Sequence, residues 1–102
     1  MICLNAQVMA IGDLRQVVVA GEPQATRQVL LSYVGECSNS SEDGQVNIRW
    51  ETIAVDVWRQ NASDPKYKVG DWVDAMIHCY TTEKDGKYYN NFKATAMFVK
   101  KI

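Results

Sequence analysis

The sequence lacks paired cysteines and has a single histidine, and each of these features removes a class of protein. The three cysteines, Cys3, Cys37 and Cys79, are an odd number, lie far apart and form no Cys-x-x-Cys pair. A disulfide framework is therefore not expected, and a reducing, cytoplasmic location is the better prediction. Because His78 is the only histidine, a zinc site of the usual Cys/His spacing is excluded. We expect no metal ion and no other cofactor.

Long apolar runs and an excess of charge of one sign are absent as well. No stretch approaches the length of a transmembrane helix, and the first residues, MICLNAQ, lack the charged region and the long apolar core of a signal peptide. We therefore expect no membrane contact. The formal net charge of the 102 residues is −1 and the isoelectric point is about 5.7. A nucleic-acid partner would have to be recognised by locally placed charges, because the protein as a whole is not basic.

Recognisable catalytic motifs are missing too. The sequence contains no Ser-His-Asp order, no Gly-rich phosphate loop and no cluster of metal ligands. We therefore expect that the protein is not an enzyme and has no small-molecule substrate. The length is that of one domain, which we take to span residues 1–102.

The sequence is rich in segments with the pattern of β-strands. The longest of them, residues 46–59, reads VNIRWETIAVDVWR. This run is rich in β-branched and aromatic residues and has neither Gly nor Pro. Side chains alternate along a strand, so its two faces differ. One face is aliphatic, with Ile53, Val55 and Val57. The other carries two indoles, Trp50 and Trp58, among small or polar residues, which predicts a surface on which flat rings stack.

Alternation and turn residues divide the rest of the chain. A first, long strand bends at Gly12, where glycine permits a kink. Asp85-Gly86 predicts a tight hairpin. The predicted order is strand 4–20, turn 21–24, strand 25–35, mobile polar loop 36–45, strand 46–59, a short helix within 60–68, strand 72–80, hairpin 81–87 and strand 88–99. Five strands, the first of them kinked, indicate an all-β fold, a small closed Greek-key barrel.

The last two predicted strands also have two distinct faces. In the fourth strand one face is expected to be apolar, with Val73, Ala75, Ile77 and Cys79. In the fifth strand the inward residues are expected to be Phe92, Ala94, Ala96 and Phe98. The outward residues of the fifth strand are expected to be Tyr89, Asn91, Lys93 and Thr95.

Several strings in this layout resemble the single-stranded-DNA-binding proteins of bacteria and phages. WETIAVD, which starts at Trp50, resembles the third strand of that family, and Trp50 falls on its base-stacking tryptophan. YKVGDWVDAMI, EKDGKYYNNFKA and QVMAIGDL resemble the start of its fourth strand, its last hairpin and strand, and its first strand. The resemblance covers nearly the whole chain. It implies a five-stranded OB-fold barrel, with at most one short helix between the third and fourth strands, that binds single-stranded DNA.

The sequence also departs from the family pattern. The helix after the third strand is much shortened, and Asp56 stands where many members have a second stacking aromatic. The flexible acidic tail that recruits replication proteins in the family does not follow the last strand. The compact form is more similar to a phage, mobile-element or accessory version than to a housekeeping one.

The candidate contacts with DNA are aromatic and basic side chains. Trp50 is expected to stack on a base, and Tyr89 lies on a hairpin that lines the binding groove in OB-folds. Trp58 is as consistent with packing against the short helix as with ligand contact, and Trp72 is favoured as structural. The basic candidates are Arg49, Arg59, Lys84, Lys87 and Lys93. Cations at these positions are suited to phosphates, and are equally consistent with ordinary surface charge.

These residues predict sequence-nonspecific binding of single-stranded DNA in replication, recombination or repair. Two alternatives remain open: an OB-fold adaptor that binds protein through an edge strand or through Leu30 and Val34, and an RNA binder on the same platform. We also expect a homodimer or homotetramer. Leu30, Val34 and the apolar positions of the first strand leave more apolar surface than one small barrel covers.

Overall fold

The computed structural model of the protein describes residues 1–39 and 46–100. Within them the chain forms six strands and one short helix. In chain order these are β1 (Ile2–Ile11), β2 (Arg15–Val19), β3 (Glu22–Asn39), β4 (Val46–Trp58), α1 (Gln60–Ser63), β5 (Trp72–Lys84) and β6 (Lys87–Val99). In this part of the chain no helix has the length and apolar character needed to cross a membrane.

Five of the strands close into a barrel. β1 pairs antiparallel with both β3 and β5, β3 pairs with β4, and β5 pairs with β6. A parallel contact between β4 and β6, at Asp56 and Lys93, completes the circle. This five-stranded Greek-key arrangement, with a short helix between β4 and β5, confirms the predicted OB-fold.

The predicted first strand is two strands, because the chain leaves the barrel at Gly12. The Gly12 N–H donates to the Gln28 carbonyl at 2.7 Å, and a Cβ at Gly12 would lie 3.0 Å from that oxygen. The chain resumes as β2, which among the described residues pairs only with β3. The turn predicted at 21–24 is wrong in position. Ala20 and Gly21, with φ of 52° and 82°, form a two-residue turn, and β3 has already begun at Glu22.

The interior of the barrel holds the aliphatic residues that alternation predicted. Val55 and Val57 are fully buried, and Ile53 packs against them. The largest fully buried side chains are Leu31, Val8, Val29, Val55, Val57 and Val73. At one end of the barrel, α1 contributes Ala62, and Tyr67 lies beneath it with its hydroxyl donating to the Asn61 carbonyl at 3.2 Å. Burial raises the pKa of Tyr67, and the positive charge of Arg27 partly opposes this rise.

The inward face predicted for the last strand is wrong at Ala96 and Phe98, because β6 contains a bulge. Met76 and Ile77 of β5 pair with Ala96 and Ala94, so Thr95 is an extra residue. Beyond it the alternation is reversed. Met97 packs against the core, and Phe98 is 61% exposed.

Two strand pairs, β5 with β6 and β3 with β4, extend past the barrel. β5 continues to Lys84 and turns through Asp85 and Gly86, with φ of 53° and 77°, so the predicted turn is confirmed and the arm is longer than predicted. β3 continues to Asn39, so the first residues of the predicted loop 36–45 are strand. Residues 40–45 of that loop, and the mobility predicted for it, lie outside the described residues.

Candidate nucleic-acid interface

Trp50 lies on the outer face of β4, as alternation predicted. Its side chain is 52% exposed and stands opposite Val34 of β3. The indole of Trp72, at the start of β5, lies beside it, with ring centroids 6.2 Å apart and planes tilted by 60°. Trp72 is half-buried, so it supports the Trp50 ring from one side. An indole supported in this way keeps its other surface available for stacking.

Arg49 and Trp50 lie on opposite faces of β4. Neighbouring residues of a strand point to opposite faces, so Arg49 lies on the face opposite the indole. Its Nε donates to Glu51 Oε1 at 2.8 Å, and both side chains are well exposed. The structure therefore places on opposite faces two residues that are adjacent in sequence.

A second group of predicted residues does come together, at the far end of β4. There a depression of about 420 Å³ opens on the outer surface of the barrel. It is lined by Gln24, Trp58, Arg59, Gln60, Asn61, Lys93, Ala94 and Thr95. We call it the Trp58 depression. Three of the predicted residues therefore lie in one depression: the indole of Trp58 on β4, the guanidinium of Arg59 just after β4, and the ammonium of Lys93 on β6.

Electrostatics favour an anion in the Trp58 depression. Its described lining includes Arg59 and Lys93 and no carboxylate. Lys93 is half-buried, with Asp56 as its neighbour on β4 and His78 as its neighbour on β5. A cation beside a concave, partly desolvated surface attracts an anion more strongly than a lysine surrounded by water does, and the carboxylate of Asp56 offsets part of that attraction.

Arg59 holds an unusual backbone conformation at the edge of the depression. Its φ is 58° and its ψ is −126°, a combination that glycine adopts easily and other residues adopt at a cost. Hydrogen bonds fix this backbone: Arg59 N–H donates to Ala25 O at 2.8 Å, and Arg59 O accepts from Ala62 and Ser63 N–H at 3.0 and 2.9 Å. Its Nε donates to Gln24 Oε1 at 3.4 Å. Strain held in this way is concentrated at functional sites.

The remaining candidates lie on the β5–β6 arm. Tyr89 is 49% exposed on the outer face, and Lys84 and Lys87 flank the turn directly opposite each other. Like charges in a cross-strand pair repel, and a bound anion would relieve the repulsion. The arm therefore carries two cations and an aromatic ring away from the barrel.

Sequence reasoning did not select His78 and Tyr80. Both point outward from β5, and their rings stack with centroids 5.6 Å apart and planes 23° from parallel. His78 pairs with Lys93, and Tyr80 with Asn91, so they extend the aromatic surface from the depression toward the arm. The sequence did contain a pattern that could have identified both residues, because alternation places them on the face of β5 that carries Trp72.

Leu30 and Val34, which were predicted to take part in self-association, lie on the same face as the predicted base-stacking residue Trp50. Leu30 pairs with Ala54 and Val34 with Trp50, so the apolar positions predicted for self-association share the outer face that carries Trp50. Val34 is 47% exposed and Leu30 is half-buried. A partner copy seated there would cover Trp50.

Comparison with known proteins gives one kind of match. No family model matches the chain, and no curated protein sequence matches it. Among solved structures, the chain is similar to the crystal structure of a small single-stranded DNA-binding protein from Streptomyces coelicolor. The match covers 97% of this chain and 92% of that one, with a TM-score of 0.50 and 16% sequence identity. At this identity the similarity shows the fold, and the barrel described above is an OB-fold of that type.

Proposed function

We propose that the protein binds single-stranded DNA without general sequence preference. The observation that carries the proposal is the meeting of Trp58, Arg59 and Lys93 in one depression, on the outer face of the barrel that also displays Trp50. Stacking surfaces combined with cations are what single-stranded nucleic acid requires, because every base has a flat face and every phosphate a charge. The fold shared with the Streptomyces protein supports the same function.

The spacing of the aromatic residues suits a strand that lies along β4. Trp50 and Trp58 are eight residues apart on one face, about 26 Å at the rise of a β-strand. At the 3.4 Å rise of a strand in duplex DNA that length corresponds to about eight nucleotides, and a more extended single strand would span it with fewer. A site of about this size falls within the range of about 4–16 nucleotides that OB-folds bind. Because β4 and β6 are parallel, a strand that continues over Lys93 and His78 toward Tyr89 on the arm turns back alongside β6.

Binding to labelled oligo-dT is expected at micromolar protein and low salt, with a marked salt dependence. If Arg59, Lys84, Lys87 and Lys93 each neutralise a phosphate, the slope of log K against log salt is about −3, at about −0.7 for each phosphate. Affinity would fall about 50-fold between 50 and 200 mM salt. Electrophoretic shift or fluorescence anisotropy across this range measures both quantities.

The arm lysines give this test a matched control. Lys84→Ala with Lys87→Ala should make the slope less steep by about 1.4. Lys66→Ala should leave it unchanged, because Lys66 is bound to Asp64 at 3.0 Å and lies outside the interface. Absence of a shift at micromolar protein rules out the proposal and leaves the protein-binding adaptor. Tighter binding to oligo-U than to oligo-dT favours RNA.

We further propose a homodimer that forms through the β2 edge. Val17, Val18 and Val19 are 37%, 70% and 41% exposed on this strand, whose outer edge is unpaired among the residues that the structure describes. An unpaired edge with apolar side chains is a template for another strand. Association here leaves Trp50 free, whereas association through Val34 would cover it. Light scattering should give a particle of at least twice 11.5 kDa.

A lysine on the edge strand tests this interface. Val18→Lys is expected to produce monomers, because a charge on an edge strand opposes pairing. Val69→Lys, at a residue that is 59% exposed elsewhere on the surface, should not change the mass. A wild-type particle of 11.5 kDa contradicts the dimer.

A further inference from the structure

The Trp58 depression has more polar groups than a nonspecific stacking surface requires. Besides the indole and the two cations, three side-chain amides line it: Gln24 from β3, and Gln60 and Asn61 from α1. Gln24 Oε1 already accepts from Arg59 Nε, and Asn61 Nδ2 donates to the Thr95 carbonyl at 3.5 Å. Amides and a guanidinium, held beside an indole, are groups that recognise the edge of a base.

The chemistry of these groups fits the N7 edge of purines. Amide side chains pair with N6 and N7 of adenine, and guanidinium groups with O6 and N7 of guanine. Both pairs use N7, an atom that pyrimidines lack. The larger purine ring also covers more of an indole when it stacks. A depression of about 420 Å³ has room for one nucleotide with its ring.

We propose that the Trp58 depression binds one purine nucleotide of the bound strand, so that binding that is otherwise nonspecific has one selective position. The base stacks on Trp58, its N7 edge faces the amides and Arg59, and its phosphate contacts Lys93. This inference rests on the proposed function, since it places one nucleotide of the same strand.

The Trp50 surface is not equivalent. The nearest arginine in sequence, Arg49, points to the opposite face and is paired with Glu51. Trp50 is adjacent to Val34 and Trp72, which offer no base-edge hydrogen bonds of the amide type. Selectivity is therefore assigned to Trp58 and nonspecific stacking to Trp50.

The first test uses oligo-dT of about eight nucleotides, within the range of site sizes of OB-folds, in which a single dA is moved through every position. One position should raise the affinity about 5- to 150-fold over unsubstituted oligo-dT, the range for a good base-edge contact. The double variant Gln60→Ala with Asn61→Ala should abolish this gain and retain oligo-dT binding. Asn5→Ala, which removes an exposed amide from β1, should keep the gain.

If oligo-dT binds and no position of dA or of dG improves the affinity, the purine site is wrong and the proposed function stands. A gain that persists in the double variant also overturns the assignment to these amides.

The second test does not depend on strand binding. Titration with dAMP or dTMP, followed through the three indole N–H resonances in an NMR spectrum, examines the depression alone. The Trp58 resonance, assigned with Trp58→Phe, should shift with dAMP at lower concentration than with dTMP, and Trp50 should respond equally to both. Failure of oligo-dT to bind while dAMP shifts Trp58 refutes the proposed function, and with it the place of this nucleotide in a bound strand, while purine binding at Trp58 itself stands. Failure of dAMP to shift Trp58 refutes the site.

Discussion

Replacement of Trp50 by alanine is expected to weaken oligo-dT binding about five- to a hundredfold and to leave the thermal midpoint nearly unchanged. The side chain is 52% exposed and rests on Trp72 outside the core. A base stacked on an indole contributes about 1–3 kcal/mol, and each 1.4 kcal/mol is about tenfold in affinity. Anisotropy with oligo-dT and thermal denaturation of the same sample measure the two effects.

Phe98→Ala provides the matched control for this experiment. Phe98 is an equally prominent aromatic, 61% exposed on β6, and does not line the Trp58 depression. Its removal should change neither affinity nor stability strongly, and Trp50→Phe should restore part of the affinity. Truncation of a core tryptophan costs about 3–5 kcal/mol of stability. A large fall in the melting temperature with normal binding would show that Trp50 is structural.

Replacement of Arg59 by glycine is expected to stabilise the protein while it weakens DNA binding. A residue in a sparsely populated backbone conformation costs about 1–3 kcal/mol, and glycine at φ 58° removes this cost. The greater freedom of glycine in the unfolded chain offsets about 0.5–1 kcal/mol. The net gain is about 1 kcal/mol, or about 4–8 °C in the midpoint of a domain this size. Loss of a charged hydrogen bond to phosphate should reduce affinity about tenfold or more.

Arg59→Ala separates the two effects. It removes the same guanidinium and keeps a Cβ in the strained conformation, so affinity should fall as much as in Arg59→Gly without the rise in melting temperature. Comparison of the two variants by calorimetry and anisotropy isolates the backbone contribution. The interpretation is wrong if glycine lowers the midpoint, or if either variant binds oligo-dT as tightly as the wild type.

Most of the barrel could be predicted from alternation, because period two in a half-buried strand reports directly on which face is inside. Ile53, Val55 and Val57 illustrate this on β4, and all of them lie in or against the core. The predicted faces were wrong where one extra residue in a strand shifts the alternation of its side chains. The extra Thr95 in β6 reverses the pattern after it, and no feature of ATAMF marks the bulge.

The candidate site was less predictable, since it depends on which strands become neighbours. Arg49 and Trp50 are adjacent in sequence and point apart, whereas Trp58 and Lys93 are distant in sequence and share a depression. The parallel contact of β4 with β6 brings the latter pair together, and that contact is a property of the closed barrel. The conformation of Arg59 was also unpredictable, because the residue type gives no sign of a positive φ.

The way the barrel closes governs how the chain can fold. Ile2 of β1 pairs with Ile77 of β5, and β4 meets its second neighbour only when β6 is in place. Such distant pairings delay folding, since the chain loses entropy in forming the loop before the contact stabilises it, and all-β domains accordingly fold in about milliseconds to seconds. During synthesis, β1, β3 and β4 leave the ribosome before their final partners exist. The apolar faces of this half-sheet stay open to misassociation until residues 87–99 emerge.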